Sequence, residues 1–350
     1  MQLVSALQEA CGARSEPDPP DDLVFIDGQT PGITRIRKKD RFIYRHSGAK
    51  AAISDDDRAR IDSLGIPPAW EDVWICPAPN GYLQATGTDA AKRKQYRYHP
   101  AWRSYRERTK FSTLLGFGAK LPRIRRRIRR AFRERDQADC ELVTAALVRL
   151  LDDAPLRIGS TGGSDSALGA STLKRGNVRV ANNTLHLDYT AKGGKRVRRQ
   201  VKDSRLLTIL EDIDDLPGKT LFRYVGDDGE IYRLRSEQVN SWLQDVTENE
   251  QISAKTFRTW AGSLAAFEHA LSDEALTIKG MSEKAARTLR NTPAIARSSY
   301  IHPAIVDLKD TPFDERESLI SGIDKSARGL TRTETAMLCF LAEKEGIKVA

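Results

Sequence analysis

Four short segments carry side chains that could together act on a phosphodiester. They contain Arg157 in LRIG, Lys174 in TLKRGN, Arg258 in AKTFRTW and Tyr300 at the end of NTPAIARSSY. A tyrosine oxygen can attack phosphorus and keep the bond energy as an ester. Two arginines can stabilise the charge that develops on the non-bridging oxygens, and a lysine can protonate the leaving oxygen as a general acid. This chemistry requires no metal ion, ATP or other cofactor.

Each of these four residues also has an ordinary structural explanation. Arg157 could cap the end of a helix, and Lys174 could be a turn residue. Arg258 could lie on an exposed helix face, and Tyr300 could be a half-buried aromatic residue. The segments favour the catalytic interpretation when they are taken together, because their order and local sequences fit one reaction.

The overall charge of the chain indicates an acidic partner. Its 350 residues carry a formal net charge of +9, and 39% of them are hydrophobic, which is enough for a buried core. A basic excess of this size points to nucleic acid and says nothing about the fold. The cysteines and histidines show no metal-binding spacing, so we expect reduced thiols, a cytoplasmic location and no metal site. No apolar run is long enough to cross a membrane, and a monomer is the simplest expectation.

Several segments concentrate positive charge and are candidate nucleic-acid contacts. They are 35–45, 123–135 and 192–199, together with 92–99, in which cations alternate with aromatic residues. In 123–135, Ile124, Ile128 and Ala131 recur at helical spacing, which leaves arginines over most of the remaining surface. Such a helix fits along a phosphate backbone. Alternatively, each of these segments is a solvated face, or an edge strand in the case of 92–99.

The chain changes character near residue 100, which predicts an α+β fold. Short alternating segments before this point predict strands. They include 23–25, 33–38, 41–45, 73–77 and 82–86. Ser54 is a candidate N-cap for a short helix that ends at Ser63. We therefore expect a small antiparallel β domain over residues 1–100 and a larger, mainly helical domain over residues 101–350.

The helical domain is predicted to contain a three-stranded β-hairpin sheet. Residues 142–151 read as an apolar helix followed by Pro155. Beyond it, LGASTLK, VRV, TLHLDYT and KRVRRQV alternate like strands and are separated by turn residues, so a fourth strand is an alternative. This interpretation places Lys174 at the tip of the first hairpin. After Ser204 the chain is expected to be mostly helical.

In this order, the four segments resemble the catalytic pattern of the type IB DNA topoisomerases, most closely the small poxvirus and bacterial members. The resemblance runs from about Ile66 to Pro303, and FRTW, TLK with its hairpin, LRIG and NTP…SSY are together specific. It implies transient cleavage of one strand of duplex DNA through a 3′-phosphotyrosyl intermediate, without ATP or a required metal. It also implies a DNA-clamp role for residues 1–100.

The resemblance implies a catalytic role for each matching residue. Tyr300 would be the nucleophile, and Lys174 would protonate the leaving oxygen. Arg157 and Arg258 would stabilise the developing charge. Lys255, one helical turn before Arg258, would face the scissile phosphate or its neighbour.

The resemblance also implies DNA contacts outside the catalytic residues. The turn at 191–195 is similar to the family's GKxK-type turn, which makes Lys192 and Lys195 candidates. The run from Gly87 to Tyr98 is similar to the family's DNA-contacting strand. Its candidate contacts are Gln95, Tyr96 and Tyr98, with Arg97 between them.

One position departs from the family pattern. The residue nine before the tyrosine is usually a histidine, and here it is Asn291. An amide can donate a hydrogen bond to a phosphate oxygen but cannot carry a protonic charge. We expect activity to survive, with a weaker dependence on pH near the ordinary pKa of histidine.

Two other functions share parts of this pattern. A tyrosine recombinase has a similar Arg, Lys, Arg and Tyr set, but it usually has a histidine where this chain has Lys255. Its multimer-forming segment could correspond to 328–344, although the apolar residues there more simply suggest a helix packed on its own domain. A non-enzymatic DNA-binding protein would have no reason to keep a complete catalytic set.

Overall fold

A computed structural model describes residues 20–39, 41–48, 53–134, 137–159, 168–323 and 326–347 of the chain, apart from three side chains between 107 and 110. These residues form two compact units, and the chain passes from one to the other between Ser112 and Thr113. The predicted assignment of residues 1–100 and 101–350 to two domains remains a proposal. Among the described residues, none of the helices combines the length and the apolar character needed to cross a bilayer.

The first unit is built on a five-stranded antiparallel sheet with the order β2-β1-β3-β4-β5. Its strands are β1 (Ile33–Lys38), β2 (Arg41–His46), β3 (Glu71–Ile75), β4 (Leu83–Thr88) and β5 (Lys94–Tyr98). Helix α1 (Asp55–Ser63) begins as predicted at Ser54, whose hydroxyl accepts a hydrogen bond from the Asp57 amide at 3.1 Å. Ile33, Ile75 and Ile61 bury their side chains between the sheet and this helix. The predicted strand at 23–25 was wrong, because Val24 makes only a single bridge, to Gly81.

The second unit is mainly helical. Its helices are the continuation of α2 (Pro100–Glu134), α3 (Cys140–Asp153), α4 (Ser204–Asp214), α5 (Ser236–Thr247), α6 (Ala254–Ser272), α7 (Ile278–Leu289), α8 (Pro293–Tyr300), α9 (Pro303–Val306), α10 (Phe313–Ser321) and α11 (Arg332–Lys344). The apolar helix expected after residue 140 is α3, and most of its residues are buried. Helix α11 also packs into the core of this unit, with Leu338 and Leu341 fully buried, as the sequence predicted for the C-terminal segment.

The predicted three-stranded sheet is present and consists of β6 (Val178–Ala181), β7 (Thr184–Ala191) and β8 (Lys195–Val201) in that order. Asn182 and Asn183 join β6 to β7 with φ angles of 52° and 53°, as a two-residue type I′ turn requires. The segment LGASTLK is not a fourth strand, because 170–172 and 175–177 form short 3-10 turns. Lys174 therefore lies before β6, and its predicted place at a hairpin tip was wrong.

Two features of the second unit differ from the sequence prediction. A two-stranded hairpin of β9 (Arg223–Val225) and β10 (Ile231–Arg233) interrupts the part that was predicted to be helical. The arginine-rich half of α2 was expected to be free for phosphates. Instead, five of its described arginines donate to carboxylates of the same unit at 2.6–3.1 Å. These are Arg123, Arg125, Arg127, Arg130 and Arg133. Arg126 and Arg129 stay exposed, and no described carboxylate pairs with them.

Candidate active site

Helix α6 carries Arg258, a buried arginine at the centre of the site. Its side chain is 4% exposed. One terminal nitrogen donates to the Pro155 carbonyl and the other to the Leu289 carbonyl at 3.0 Å, while Nε has no partner among the described residues. These bonds join the segment that follows α3 to the last residue of α7. Burial lowers the pKa of the Arg258 guanidinium, but arginine stays charged in proteins.

Tyr300, the last residue of α8, lies against Arg258. The guanidinium carbon is 5.0 Å from the centre of the phenol ring. Burial alone would raise the pKa of Tyr300, but the charge of Arg258 and its hydrogen bond oppose it, together with the charges of Arg157 and Lys255. The net effect lowers the pKa below its ordinary value. This favours the phenolate that a tyrosine nucleophile needs.

Two small residues on α6 position Tyr300. The Ser263 hydroxyl donates to the Tyr300 carbonyl at 3.1 Å and accepts from the His302 amide at 3.0 Å. A Cβ at Gly262 would lie 2.8 Å from the Tyr300 carbonyl oxygen and 2.9 Å from its Cβ. Glycine at this position therefore allows α8 to end directly on α6. Neither residue stood out in the sequence, since small residues in a helix are common.

Arg157 lies in an extended segment after α3, and two backbone contacts fix it. Its carbonyl accepts from the Ala170 amide at 2.7 Å, and the next carbonyl, of Ile158, accepts from the Ser171 amide at 2.8 Å. Gly169 permits this approach, because a Cβ there would lie 2.6 Å from the Arg157 carbonyl oxygen. The Arg157 side chain is partly buried and acts electrostatically on Tyr300 and Arg258.

Lys255 and Lys174 differ in their relation to this centre. Lys255 is exposed on the first turn of α6, and its charge contributes to the lowered pKa of Tyr300. Lys174 is exposed in a turn fixed by the Asn177 side chain, which accepts from the Lys174 amide at 3.0 Å. The amine of Lys174 forms no hydrogen bond or ion pair with the described residues, and its charge is not among those that act on the pKa of Tyr300.

Asn291 follows α7 and meets one of the predicted DNA contacts. Its side-chain oxygen accepts from Lys195 Nζ at 3.2 Å, and its amide nitrogen is buried without a partner among the described residues. Arg290, at the end of α7, adopts a left-handed conformation with φ 49° and turns the chain toward Asn291. Lys192 is exposed in the same β7–β8 turn as Lys195. The structure therefore brings Lys195 to Asn291 and leaves Lys192 at the surface.

Two further residues lie beside this centre, Tyr189 on β7 and Arg199 on β8. Tyr189 did not stand out in the sequence, and Arg199 was only part of the basic segment 192–199. Tyr189 is 4% exposed, and burial raises its pKa to about 12, although the charges of Arg258, Arg199 and Arg157 oppose this. The signal for both residues was the strand alternation, in which Tyr189 follows Leu185 and Leu187 at spacing two and faces the core with them.

The charges of this site are unbalanced. The groups that act most strongly on Tyr300, Tyr189, Arg258 and Arg199 are arginines, a lysine and other tyrosines, with no carboxylate of the described residues among them. Buried cations without counter-ions are costly. An anion with several acceptor oxygens, such as a phosphodiester, would satisfy both the charges and the unpartnered donors.

In the first unit, the four predicted contacts on β5 lie on two faces. Tyr96 and Tyr98 are exposed, and their rings stack with centres 6.1 Å apart and planes 11° apart. Gln95 and Arg97 point to the other face. The Gln95 amide donates to Asp89 at 2.8 Å, and Arg97 donates to the Gly65 carbonyl at 3.0 Å. The two tyrosines are thus the more accessible candidates.

Comparison with known proteins identifies the class of this enzyme. Residues 99–299, more than half of the chain, match the family described as the catalytic core of eukaryotic DNA topoisomerase I. Residues 41–89 match the N-terminal domain of bacterial DNA topoisomerase IB. The chain therefore belongs to the type IB DNA topoisomerases, which relax duplex DNA by the type IB mechanism. This excludes the recombinase and the non-enzymatic DNA-binding protein as assignments.

A viral enzyme is among its relatives. DNA topoisomerase 1B of Acanthamoeba polyphaga mimivirus is 27% identical over 291 residues, which cover 77% of this chain and 85% of the viral protein. The similarity thus extends over both units of the chain.

Proposed function

We propose that Tyr300 is the nucleophile through which this enzyme cuts DNA. The phenolate oxygen attacks the scissile phosphorus, the bond to the 5′-oxygen breaks, and the 3′ end remains attached as a phosphotyrosyl ester. Rotation of the free end releases torsional strain. Attack by the 5′-hydroxyl then reverses the step and releases Tyr300. The ester conserves the bond energy, so the cycle consumes no ATP.

The other site residues act on charge and protons. Arg157 and Arg258 bind the non-bridging oxygens, where charge increases in the transition state. The buried amide nitrogen of Asn291 donates to the same phosphate. Lys174 protonates the 5′-oxygen as it leaves, and its exposed turn must come to the phosphate when DNA binds. Lys255 and Lys195 contact phosphates beside the cleavage point.

The proposal rests on the place of Tyr300 at the end of α8, where the Arg258 guanidinium carbon lies 5.0 Å from the centre of its ring. The directions of the pKa shifts agree with this assignment. Tyr189 and Tyr300 are both buried beside Arg258 and Arg157, yet the pKa of Tyr189 is raised and that of Tyr300 is lowered.

Relaxation of supercoiled plasmid in EDTA without ATP, with covalent adducts trapped by detergent, tests the proposal. Wild type should relax the plasmid and form an adduct, and Tyr300→Phe should do neither. Tyr189→Phe is the matched control, because it removes the neighbouring phenol, and it should still form the adduct. An adduct with Tyr300→Phe, or its loss only with Tyr189→Phe, would refute the assignment.

The first unit is proposed to bind DNA through Tyr96 and Tyr98, with Gln95 and Arg97 as further contacts. Lys192, in the β7–β8 turn of the second unit, is proposed as another DNA contact. Exposed aromatic rings beside cations such as Lys94, whose amine is 5.9 Å from the Tyr96 ring centre, suit base edges and phosphates. We also propose that the enzyme acts as a monomer on chromosomal DNA in the cytoplasm. Light scattering of the protein on a short duplex should give one protein chain per DNA.

A further inference from the structure

Arg199 occupies an unusual position for a charged residue. On β8, Val197 and Val201 are buried, while Arg196, Arg198 and Gln200 face solvent. Arg199 falls on the buried side, between the two valines, because side chains alternate along a strand. Its neighbours Arg196 and Arg198 both form ion pairs with Asp188, at 2.6 Å and 3.2 Å. No described carboxylate pairs with Arg199.

The hydrogen bonds of Arg199 are incomplete. One terminal nitrogen donates to the Thr288 carbonyl in the last turn of α7, where helix carbonyls lack partners within the helix. Nε is buried and has no partner among the described residues. Burial lowers the pKa of this guanidinium, and the like charges of Arg290 and Arg258 lower it further. The group nevertheless remains a cation, with a donor available to a ligand.

Arg199 and Arg258 bind consecutive carbonyls of α7. Arg258 donates to Leu289 and Arg199 to Thr288. Asn291, whose buried amide nitrogen is also unpartnered, follows two residues later. The end of α7, beside Tyr189, thus brings together three donor groups that each have a nitrogen without a hydrogen-bond partner among the described residues. An oxyanion could accept hydrogen bonds from all three.

We propose that Arg199 is a third arginine of the catalytic site and binds a non-bridging oxygen of the DNA backbone, at the scissile phosphate or the one next to it. This inference rests on the proposed roles of Tyr300, Arg157 and Arg258. It adds a residue that neither the sequence pattern nor the comparisons assign. The ligand class is a phosphodiester, and the role is binding of charge rather than proton transfer, since arginine does not titrate in the working range.

The test is the rate of adduct formation in a single turnover with protein in excess over a short duplex, after its cleavage position has been mapped. Arg199→Gln should slow adduct formation by about a hundredfold to a thousandfold, as loss of one donor to a developing oxyanion does. Arg199→Lys should recover part of this rate. Arg179→Gln, which changes an exposed arginine on β6 of the same sheet, is the matched control and should stay within about threefold of wild type.

A second measurement separates phosphate binding from support of α7. A neutral methylphosphonate is placed in turn at the scissile position and at each adjacent position. If Arg199 binds the phosphate charge, the difference between wild type and Arg199→Gln should largely disappear at one of these positions. A difference that persists on every modified duplex would mean that Arg199 only supports the fold, and the proposal would fail.

The two proposals fail in different ways. If wild type forms no adduct, or Tyr300→Phe still does, the proposed nucleophile is wrong whatever Arg199 does. If wild type and Tyr300→Phe behave as expected but Arg199→Gln matches Arg179→Gln, only the role of Arg199 is overturned.

Discussion

The same guanidinium groups lie beside two buried tyrosines, and the two phenols respond in opposite directions. Arg258 and Arg157 act on both, but Tyr300 also hydrogen bonds to Arg258 and receives the field of Lys255. For Tyr189, the cost of burying a phenolate exceeds these attractions. The direction of the pKa shift at each tyrosine is therefore decided by a few charges.

Lys255 offers a test of this balance. Its charge lowers the pKa of Tyr300, so Lys255→Gln should raise that pKa and move the rising limb of the pH–rate profile for adduct formation to higher pH. Because Lys255 is exposed, we expect a shift of less than about one pH unit and a loss of roughly twofold to fivefold at neutral pH. Lys279→Gln, an exposed change on α7, should leave the profile in place.

The high-pH part of the same profile separates two roles of Lys255. If the lysine acts only on the ionisation of Tyr300, the variant and wild type should reach the same plateau. A plateau that stays lower for Lys255→Gln would show direct contact with the phosphate. An unshifted midpoint would contradict the electrostatic effect on Tyr300.

Asn291 leads to a second prediction about pH. The amide does not titrate, so wild type should show no inflection in the cleavage rate near pH 6.5, the ordinary pKa of histidine. Asn291→His should introduce one, because the imidazolium gives a charged donor at low pH that is lost as pH rises. The single-turnover rate between pH 5 and 8 is the measurement. Identical profiles for the two proteins would show that this side chain does not touch the reacting phosphate.

At the scale of elements, the site depends on how α6, α7 and α8 meet. The last turn of α7 gives carbonyls to Arg258 and Arg199, and the end of α8 rests on Ser263. The catalytic side chains belong to elements far apart in the sequence. Their geometry is therefore a property of helix packing rather than of any local motif.

Ser263→Ala should loosen the α6–α8 contact. The hydroxyl bonds to the Tyr300 carbonyl and the His302 amide, and its residue is fully buried. Removing it should cost about 1–3 kcal/mol of unfolding free energy and slow adduct formation, with DNA affinity retained. Urea unfolding and single-turnover cleavage measure the two effects. Ser272→Ala, near the exposed end of α6, is the control, and equal effects of the two changes would argue against the contact.

The sequence predicted those elements whose signals are local. Ser54 as an N-cap, the apolar run of α3 and the Asn182–Asn183 turn each specify their own conformation. LGASTLK was misread, because its alternation resembles a strand while Gly169 packs its backbone against Arg157 and Gly159. The sequence also could not show that arginines of α2 are paired with carboxylates rather than free, since some of these carboxylates lie up to 209 residues away in the chain.

The proposed catalytic set could be read from the sequence for a different reason. Tyr300, Arg157, Lys174 and Arg258 are proposed to carry the reaction, and their types and order suggest that chemistry directly. The sequence did not point to Arg199 and Tyr189 in this way, because their place beside Arg258 depends on the face of the sheet on which their side chains fall. A register shift of one residue would expose both side chains.

At the scale of the molecule, charge and chemistry should be separable. The net charge of +9 predicts binding dominated by phosphates, whose affinity falls with salt through counter-ion release. The cations that act on the pKa of Tyr300 are Arg258, Arg157 and Lys255, a small part of the basic residues of the chain. We therefore expect binding and cleavage to depend on largely different residues.

Tyr300→Phe should retain this binding in full. Fluorescence anisotropy with a labelled duplex should show an affinity that falls by at least about a hundredfold between 50 and 200 mM salt, with the same slope for wild type and the variant. The phenol oxygen contributes to bond making and not to the count of neutralised phosphates, which sets the slope. Replacing Lys195 by Gln, in contrast, should reduce the slope by about one. A slope near zero for wild type would mean that phosphate contacts do not govern binding. A flatter slope for Tyr300→Phe than for wild type would mean that Tyr300 itself takes part in binding.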